Sequence, residues 1–378
     1  MKRLIEPYIR KDLASKIILI SGPRQCGKTT LSKQLVADFD YFNFDVAPDR
    51  VALKKMEWDR NKQLIIFDEL HKMKNWKKWL KGVYDKEGIP PSLLVTGSSK
   101  LDTYRKVGDS LAGRYFQFRL HPFDLNEVMS FSDKSSNEIF DTLFTIGGFP
   151  EPFLQADLSY YKRWQKTHVD IILRQDLIDE YAVRDIKAIE TLIYLLQERV
   201  GSSVSYAQLG RDLERDPKTI KRWLTMLENL YIIFKVTPYH KNIARSLLKE
   251  PKYYFYDNGR VIGDNGAKLE NLVACALIKR LNFITDTQGT ETKLQYLRTK
   301  DGKELDFLII SDRKPVKAIE VKYSDENLSS SFKYFCDYFP DCQGIQLVKE
   351  LSREKTYPNG FVIRDVVKWL SEIQKHIF

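Results

Sequence analysis

Short apolar runs separated by amphipathic segments mark the first third of the chain. Apolar runs at residues 17–20, 64–67 and 93–95 end in polar or glycine residues, and an aromatic run follows at residues 115–118. Such runs predict strands buried on both faces, and the helical patterns between them indicate a parallel sheet. The pattern therefore predicts an α/β domain over residues 1–135.

The pattern changes after residue 135, where three further regions are predicted. Residues 136–195 are mostly helical in pattern and contain the stretch GGFPEP. Residues 196–240 hold two helical segments followed by a strand-like run. Residues 241–378 mix aromatic strands with helices, which predicts a second α/β domain.

The second helical segment of residues 196–240 has two distinct faces. Its apolar residues repeat at the spacing of a buried helix face, in the order Ile220, Trp223, Leu224, Leu227. The opposite face carries the basic residues Lys218, Lys221 and Arg222. Helix, turn, basic helix and strand in this order are typical of a winged helix-turn-helix. The basic face would contact DNA, or the domain would serve packing or protein docking, and both alternatives stay open.

The charge, the cysteines and the apolar stretches of the chain indicate its partners and its compartment. The 378 residues carry a net charge of +10, which favours an anionic partner such as a nucleotide or nucleic acid. The four cysteines form no CxxC pair, so we expect reduced thiols and no zinc ribbon. No stretch approaches the ~18–20 apolar residues of a membrane span, and the first residues contain no apolar leader. We therefore expect a cytoplasmic protein with no membrane contact.

The stretch GPRQCGKT, directly after the first predicted strand, fits the P-loop pattern GxxxxGK[ST]. Glycines let backbone N–H groups approach phosphates, and the start of the following helix favours negative charge. Lys28 would reach the β- and γ-phosphates, and the hydroxyl of Thr29 would bind Mg²⁺. The predicted ATP-binding residues are Gly22, Pro23, Arg24, Gln25, Cys26, Gly27, Lys28, Thr29 and Thr30.

Polar residues follow the next predicted strands. The run LIIF leads into Asp68, placed to hold Mg²⁺, and Glu69, placed to orient or deprotonate the attacking water. Ser98 follows a further strand, where its hydroxyl would contact that water or the γ-phosphate, or would only form a turn. Arg114 is a candidate for stabilising transition-state charge from a neighbouring subunit, although a lone arginine is also an ordinary surface residue.

The stretch ELDFLIISDRKPVKAIEVK predicts two antiparallel strands. A five-residue loop, SDRKP, would place Asp306 opposite Glu320, with Lys322 on the same face. Facing carboxylates repel each other, and a divalent cation between them would remove that penalty. Metal-dependent phosphodiester cleavage needs such a site, and Glu270 is a further candidate ligand. The alternative is that both acids face water and Lys322 neutralises them.

Seven stretches carry a resemblance to a known family over residues 17–324. They are GPRQCGKTTL, IIFDEL, LLVTGSS, GRYFQFRLHPFDLNEV, GGFPEPF, GKELDFLI and KAIEVKYS. The chain resembles P-loop ATPases of the AAA+ superfamily. It is similar to a bacterial and archaeal family within it that joins the ATPase domain to a winged helix and a restriction-endonuclease-like domain of unknown function.

The resemblance implies roles by position. It implies Mg²⁺ at Thr29 and Asp68, water activation by Glu69, sensing by Ser98 and a role for Arg114 across a subunit interface, as in ring or helical assemblies. The nuclease-like motif falls on Glu270, Asp306, Glu320 and Lys322, and Leu305 stands where the motif expects proline.

These observations predict an ATPase that binds and hydrolyses ATP with Mg²⁺. Hydrolysis would drive a conformational change or assembly, in the handling of nucleic acid. Nuclease activity is left open. The alternative is a nucleotide-controlled switch, or a self-assembling scaffold, whose nuclease-like domain is inactive and only binds a partner.

Overall fold

A computed structural model describes residues 2–98, 111–172, 177, 185–240, 250–298, 303–332, 339, 342–358 and 360–377. The chain forms two compact units. The first contains Met1–Pro122 and Asn229–Tyr231, and the second contains Phe123–Glu228 and Ile232–Phe378. None of the helices in the described ranges combines the length and the apolar character of a membrane span. The predicted boundaries at residues 135, 195 and 240 stay predictions.

The first unit is built on a parallel sheet of five strands in the order β2-β3-β4-β1-β5. Four strands lie where the apolar runs predicted them, and one does not. The strands are β1 (Ile17–Ser21), β2 (Phe39–Asn43), β3 (Leu64–Asp68), β4 (Ser92–Gly97) and β5 (Tyr115–Arg119). The additional strand is β2, a half-buried edge strand whose mixed sequence FDYFN lacks the apolar run of a central strand.

Helices accompany this sheet. They are α1 (Glu6–Asp12), α2 (Lys28–Gln34), α3 (Ala47–Lys55) and α4 (Trp76–Glu87), with a 3₁₀ turn at Leu70–Lys72. Trp58, Phe67 and Trp79 pack edge to face at centroid distances of 5.5–6.1 Å, next to the buried Leu80. This packing closes one face of the sheet and leaves the carboxyl ends of the strands to carry polar residues.

After the first sheet, the chain is mainly helical up to residue 229. The helices are α5 (Leu125–Met129), α6 (Ser136–Thr145), α7 (Pro150–Gln155), α8 (Leu158–Ile171), α9 (Ile186–Gln197), α10 (Tyr206–Asp212) and α11 (Pro217–Asn229). The carboxylate of Asp216 accepts a hydrogen bond from the N–H of Lys218 at 2.7 Å, which caps α11. The predicted apolar stripe of α11 is buried, and Lys218, Lys221 and Arg222 are exposed.

The second unit contains a sheet of eight strands in the order β12-β13-β11-β10-β9-β8-β6-β7. Its strands are β6 (Ile233–Pro238), β7 (Lys252–Phe255), β8 (Thr292–Arg298), β9 (Glu304–Ser311), β10 (Lys314–Lys322), β11 (Gln343–Val348), β12 (Lys355–Thr356) and β13 (Val362–Asp365). The long helix α12 (Asn265–Gln288) and the short helices α13 (Val366–Ser371) and α14 (Ile373–His376) accompany it, with a 3₁₀ turn at Asn258–Arg260.

The hairpin of β9 and β10 corrects the predicted five-residue loop. Ser311 pairs with Lys314, so the turn consists of Asp312 and Arg313, whose φ angles are 45° and 69°. Two left-handed residues form the turn whose twist matches antiparallel strands. A register shift between Pro315 and Lys317 then takes up one residue. Beyond this bulge Ile319 pairs with Phe307, so the next position brings Glu320 opposite Asp306, as the sequence predicted.

Candidate nucleotide site and a buried charged cluster

The loop between β1 and α2 depends on its glycines. A Cβ atom on Gly22 would lie 2.2 Å from the carbonyl oxygen of Leu120, which no side chain tolerates. Gly27 has a φ of 95°, in the left-handed region that glycine adopts without strain. Gln25 is exposed and also left-handed, with a φ of 60°. The chain therefore bends back sharply before α2, which leaves a concave backbone.

The ammonium of Lys28 lies inside this loop. Its Nζ donates hydrogen bonds to the carbonyls of Gly22 at 2.9 Å and Pro23 at 2.7 Å, and the residue is 6% exposed. Phosphate oxygens make stronger, charge-assisted hydrogen bonds to an ammonium than neutral carbonyls do. The loop therefore holds its cation where a nucleotide phosphate would fit.

The other loop positions differ in burial. Pro23 and Cys26 are buried, and the Cys26 thiol donates to the carbonyl of Leu120 at 3.4 Å. Arg24 and Thr29 are half-buried, and Thr30 is exposed.

Asp68 is the centre of a hydroxyl network at the carboxyl edge of the sheet. Its Oδ2 accepts hydrogen bonds from Thr29 at 2.9 Å and Tyr41 at 2.7 Å, and its Oδ1 accepts one from Thr96. Asp68 and Thr96 are direct partners in the pairing of β3 with β4. Burial and the hydrogen bond to Asp68 raise the pKa of Tyr41, so this phenol stays protonated. Sequence reasoning missed Tyr41 because its strand was not predicted.

Glu69 leaves the strand in a strained conformation. Its φ of 54° lies in the left-handed region, which is uncommon for a residue with a side chain. Ser98 donates a hydrogen bond to its Oε2 at 3.0 Å, and His71 Nε2 lies 3.6 Å from the same oxygen. The carboxylate is therefore held beside Asp68 by neighbours from the ends of two strands.

Arg114 lies before β5, where it pairs with Asp85 at the end of α4. Its Nε donates to Asp85 Oδ1 at 2.7 Å, and a second guanidinium nitrogen lies 3.3 Å from Oδ2. Its side chain is 32% exposed. The role of Arg114 across a subunit interface stays a prediction.

In the second unit, the four residues predicted to form a nuclease-like site lie in one charged cluster with Lys252. The Lys252 side chain on β7 is 1% exposed, and its Nζ lies 3.2 Å from Glu270 Oε1, 2.6 Å from Glu304 Oε1 and 3.7 Å from Asp306 Oδ1. Tyr254 also donates a hydrogen bond to Glu270 at 2.6 Å. Burial alone would lower the pKa of Lys252, but the neighbouring carboxylates raise it.

Glu320 and Lys322 complete this cluster. Lys322 Nζ lies 2.8 Å from Glu320 Oε1, and Asp306 Oδ2 accepts a hydrogen bond from the N–H of Val321 at 2.9 Å. Burial raises the pKa of Asp306 well above its usual value, with further contributions from Glu270 and Glu320. Burial also raises the pKa of Glu320. Two ammonium groups thus face four carboxyls, and the raised pKa values favour keeping a proton on the acids.

The cation among these acids is therefore a lysine. Within the described parts of the chain, no group of three or more histidine, cysteine, aspartate or glutamate side chains is arranged to hold a metal ion. Sequence reasoning missed Lys252 and Glu304. A signal for Lys252 was available, because it directly precedes the apolar run YYFY and a lysine in a buried strand needs a partner.

The GGFPEP and HPFDLNEV stretches meet in the second unit. A Cβ atom on Gly148 would lie 2.1 Å from the carbonyl oxygen of Phe123, and the Phe123 N–H donates to the Gly148 carbonyl at 2.7 Å. Lys279 on α12 lies 2.6 Å from Glu127 and 3.3 Å from Asp124. These stretches therefore carry close backbone packing and a buried ion pair.

Three stretches of the chain match family models of known proteins. Residues 14–129 match an AAA domain, residues 137–262 match the domain of unknown function DUF8612, and residues 265–365 match the domain of unknown function DUF4143. Together with the parallel sheet and the loop, the first match defines an AAA-like P-loop domain.

The relatives of the whole chain have names that describe no activity. The chain is 25% identical to the uncharacterized protein MJ1544 of Methanocaldococcus jannaschii, over 86% of this chain and 79% of the relative. It is also 25% identical to an uncharacterized protein of Haemophilus influenzae, over 80% of this chain and 82% of the relative.

Among solved structures, the chain aligns with a Signal Transduction ATPase with Numerous Domains from Pyrococcus horikoshii. The identity is 13%, the TM-score is 0.24, and the alignment covers 76% of this chain but about half, 48%, of the solved chain. This score carries no argument about fold or function.

Proposed function

We propose that this protein is a Mg²⁺-dependent ATPase whose second unit is a nucleotide-controlled binding domain. The observation that carries the ATPase proposal is the hydrogen bond of 2.9 Å between Thr29 and Asp68, next to the loop that holds Lys28. Oxygen ligands of this kind suit Mg²⁺ bound together with nucleotide phosphates. When bound, the ion neutralises charge on those phosphates.

Other residues of the site would bind the phosphates, activate the water and position the catalytic carboxylate. The N–H groups of the loop and the Lys28 ammonium bind the phosphates, and Lys28 exchanges two carbonyl partners for phosphate oxygens. Glu69 orients the attacking water and accepts its proton, and Ser98 holds the Glu69 carboxylate in place. Arg114 would act on a neighbouring subunit, after release from Asp85.

Phosphate release from ATP tests the ATPase proposal. The wild type should hydrolyse ATP only with Mg²⁺, and Lys28→Ala should abolish hydrolysis because the phosphates lose their cation. Lys54→Ala, on an exposed position of α3, is the matched control and should keep full activity. Full turnover by Lys28→Ala would remove the proposal.

The second unit is proposed to have the restriction-endonuclease-like fold that its sequence resembles, without nuclease activity. Lys252 supports the inactive alternative, because its ammonium lies among the acids that would otherwise hold Mg²⁺. We expect no cleavage of plasmid, linear or single-stranded DNA with Mg²⁺ or Mn²⁺, whether ATP is present or absent. Metal-dependent cleavage that disappears in Asp306→Ala would contradict this proposal.

The partner of the binding domain is proposed to be DNA, through a winged helix-turn-helix that includes α10 and α11. The exposure of Lys218, Lys221 and Arg222 on one helix supports it. Binding through phosphate contacts should weaken steeply with salt, and Lys221→Glu should reduce that salt dependence. Binding that is indifferent to salt would argue for a protein partner instead.

Sizing with and without a non-hydrolysable ATP analogue tests the predicted ring or helical assembly.

A further inference from the structure

A cavity of about 310 Å³ lies on the sheet face opposite the charged cluster. Strands alternate their side chains, so Lys317 on β10 points away from the face of Glu320 and Lys322. Lys317 lines the cavity together with residues from the neighbouring strands and from the C-terminal helices. Its walls include Ile345, Val362, Arg364, Trp369 and His376.

Lys317 is a buried cation on the wall of this cavity. The residue is 5% exposed, and its Nζ donates a hydrogen bond to the backbone carbonyl of His376. Among the residues that the structure describes, no carboxylate lies within 4.0 Å of Lys317 Nζ. Burial lowers the pKa of this ammonium. Since an ammonium out of water is costly unless it is paired, an anion in the cavity would remove that cost.

The acids at the cavity are already neutralised. Glu354 Oε2 lies 3.8 Å from Arg364 Nε and 3.7 Å from Lys368 Nζ. Glu372 Oε1 lies 3.1 Å from Lys375 Nζ. These pairs hold the two carboxylates at their own cations, and neither lies within 4.0 Å of Lys317 Nζ.

The cavity also has aliphatic and aromatic walls, which lie among the charged and polar side chains that line it. Trp369 and His376 stack with ring centroids 5.7 Å apart and planes 17° apart, and Ile345 and Val362 add aliphatic surface. A cavity of this size that combines apolar walls with placed charged groups suits a small molecule that has both characters.

We propose that this cavity binds a small organic anion, with a phosphate or carboxylate group on Lys317 and an apolar body against Ile345, Val362 and Trp369. This site is separate from the nucleotide site, and its ligand is not the ATP of the first unit. Phosphates and carboxylates share the chemistry that Lys317 recognises, so the test includes both.

The test is calorimetric titration of the full chain with phenyl phosphate, with benzoate and with neutral benzyl alcohol. At least one of the two acids should bind the wild type and Lys28→Ala equally well, and benzyl alcohol should bind neither. Lys317→Met should weaken binding about tenfold to a hundredfold, because a charge-assisted hydrogen bond is lost. Gln343→Glu, at the exposed strand partner of Lys317, adds a competing carboxylate and should also weaken binding.

Three outcomes would overturn the proposal. They are no binding of either acid to the wild type, loss of binding in Lys28→Ala, and unchanged binding in Gln343→Glu together with Lys317→Met. If Lys317→Met fails to fold by circular dichroism, the Gln343→Glu result decides alone.

Discussion

Replacing Lys252 by methionine removes the positive charge from the centre of the buried cluster and keeps a chain of similar length. The substitution leaves Glu270, Glu304 and Asp306 without the ammonium that lies 2.6–3.7 Å from their oxygens. The second unit should lose stability, because these three buried or half-buried carboxyls then lose the ammonium that they share.

The distances from the Lys252 ammonium to the three carboxylates set the expected loss of stability. At an effective dielectric constant of about 20, each of the three attractions is worth about 4–6 kcal/mol before desolvation is counted. Burying an ion costs several kcal/mol, which offsets much of this attraction. Removing one partner of a buried pair destabilises proteins by about 3–5 kcal/mol, and we expect Lys252→Met to fall in that range. Protonation of the remaining acids would bring the loss of stability toward the lower end of this range.

Urea unfolding of the full chain measures this loss, with hydrogen exchange of peptides from β7 and β9 to assign it to the second unit. Lys293→Met, at a side chain that is 51% exposed on β8, is the matched control and should change the free energy of unfolding by less than about 0.5 kcal/mol. The double variant Lys252→Met with Glu304→Gln should recover part of the loss. A loss below about 1 kcal/mol in Lys252→Met would show instead that the cluster does not need its lysine.

Two further predictions concern the packing and the catalytic site. Gly148→Ala should destabilise the second unit by several kcal/mol in urea unfolding, because the new Cβ would lie 2.1 Å from the carbonyl oxygen of Phe123. Gly82→Ala, which meets nothing within 4 Å in α4, should instead stabilise slightly, and equal effects of the two would contradict the packing argument. Ser98→Ala should lower kcat for ATP hydrolysis about tenfold and leave KM unchanged, because Glu69 loses its positioning hydrogen bond. A raised KM with an unchanged kcat would show that Ser98 binds ATP instead.

Much of the first unit could be predicted from the sequence, because central parallel strands are buried on both faces. Their apolar runs and the glycine loop between β1 and α2 are local signals. Asp68 and Glu69 come directly after such a run. Their place at the carboxyl edge of the sheet could therefore be predicted from the run. The edge strand β2 could not be predicted, since it is half-buried and mixed in sequence. Because Tyr41 lies on this strand, its hydrogen bond to Asp68 was missed as well.

The charged cluster was predictable only in part. Period-two alternation placed Asp306 opposite Glu320 even though the turn was wrong, because the bulge near Pro315 compensated the shorter loop. The contact of Lys252 with Glu270 and Asp306 depends on the pairing of distant strands and on α12. No local pattern specifies such contacts, so sequence reasoning did not place Lys252 among these acids.

Glu69 is proposed to activate water at a Mg²⁺-ATP site. Glu69→Gln keeps the size of the side chain and its contact with Ser98 but removes the base. Single-turnover hydrolysis of radiolabelled ATP by the purified variant, with binding measured in parallel, tests this role. We predict ATP binding equal to the wild type with hydrolysis slowed by at least about a hundredfold. Hydrolysis at the wild-type rate by Glu69→Gln would contradict the account.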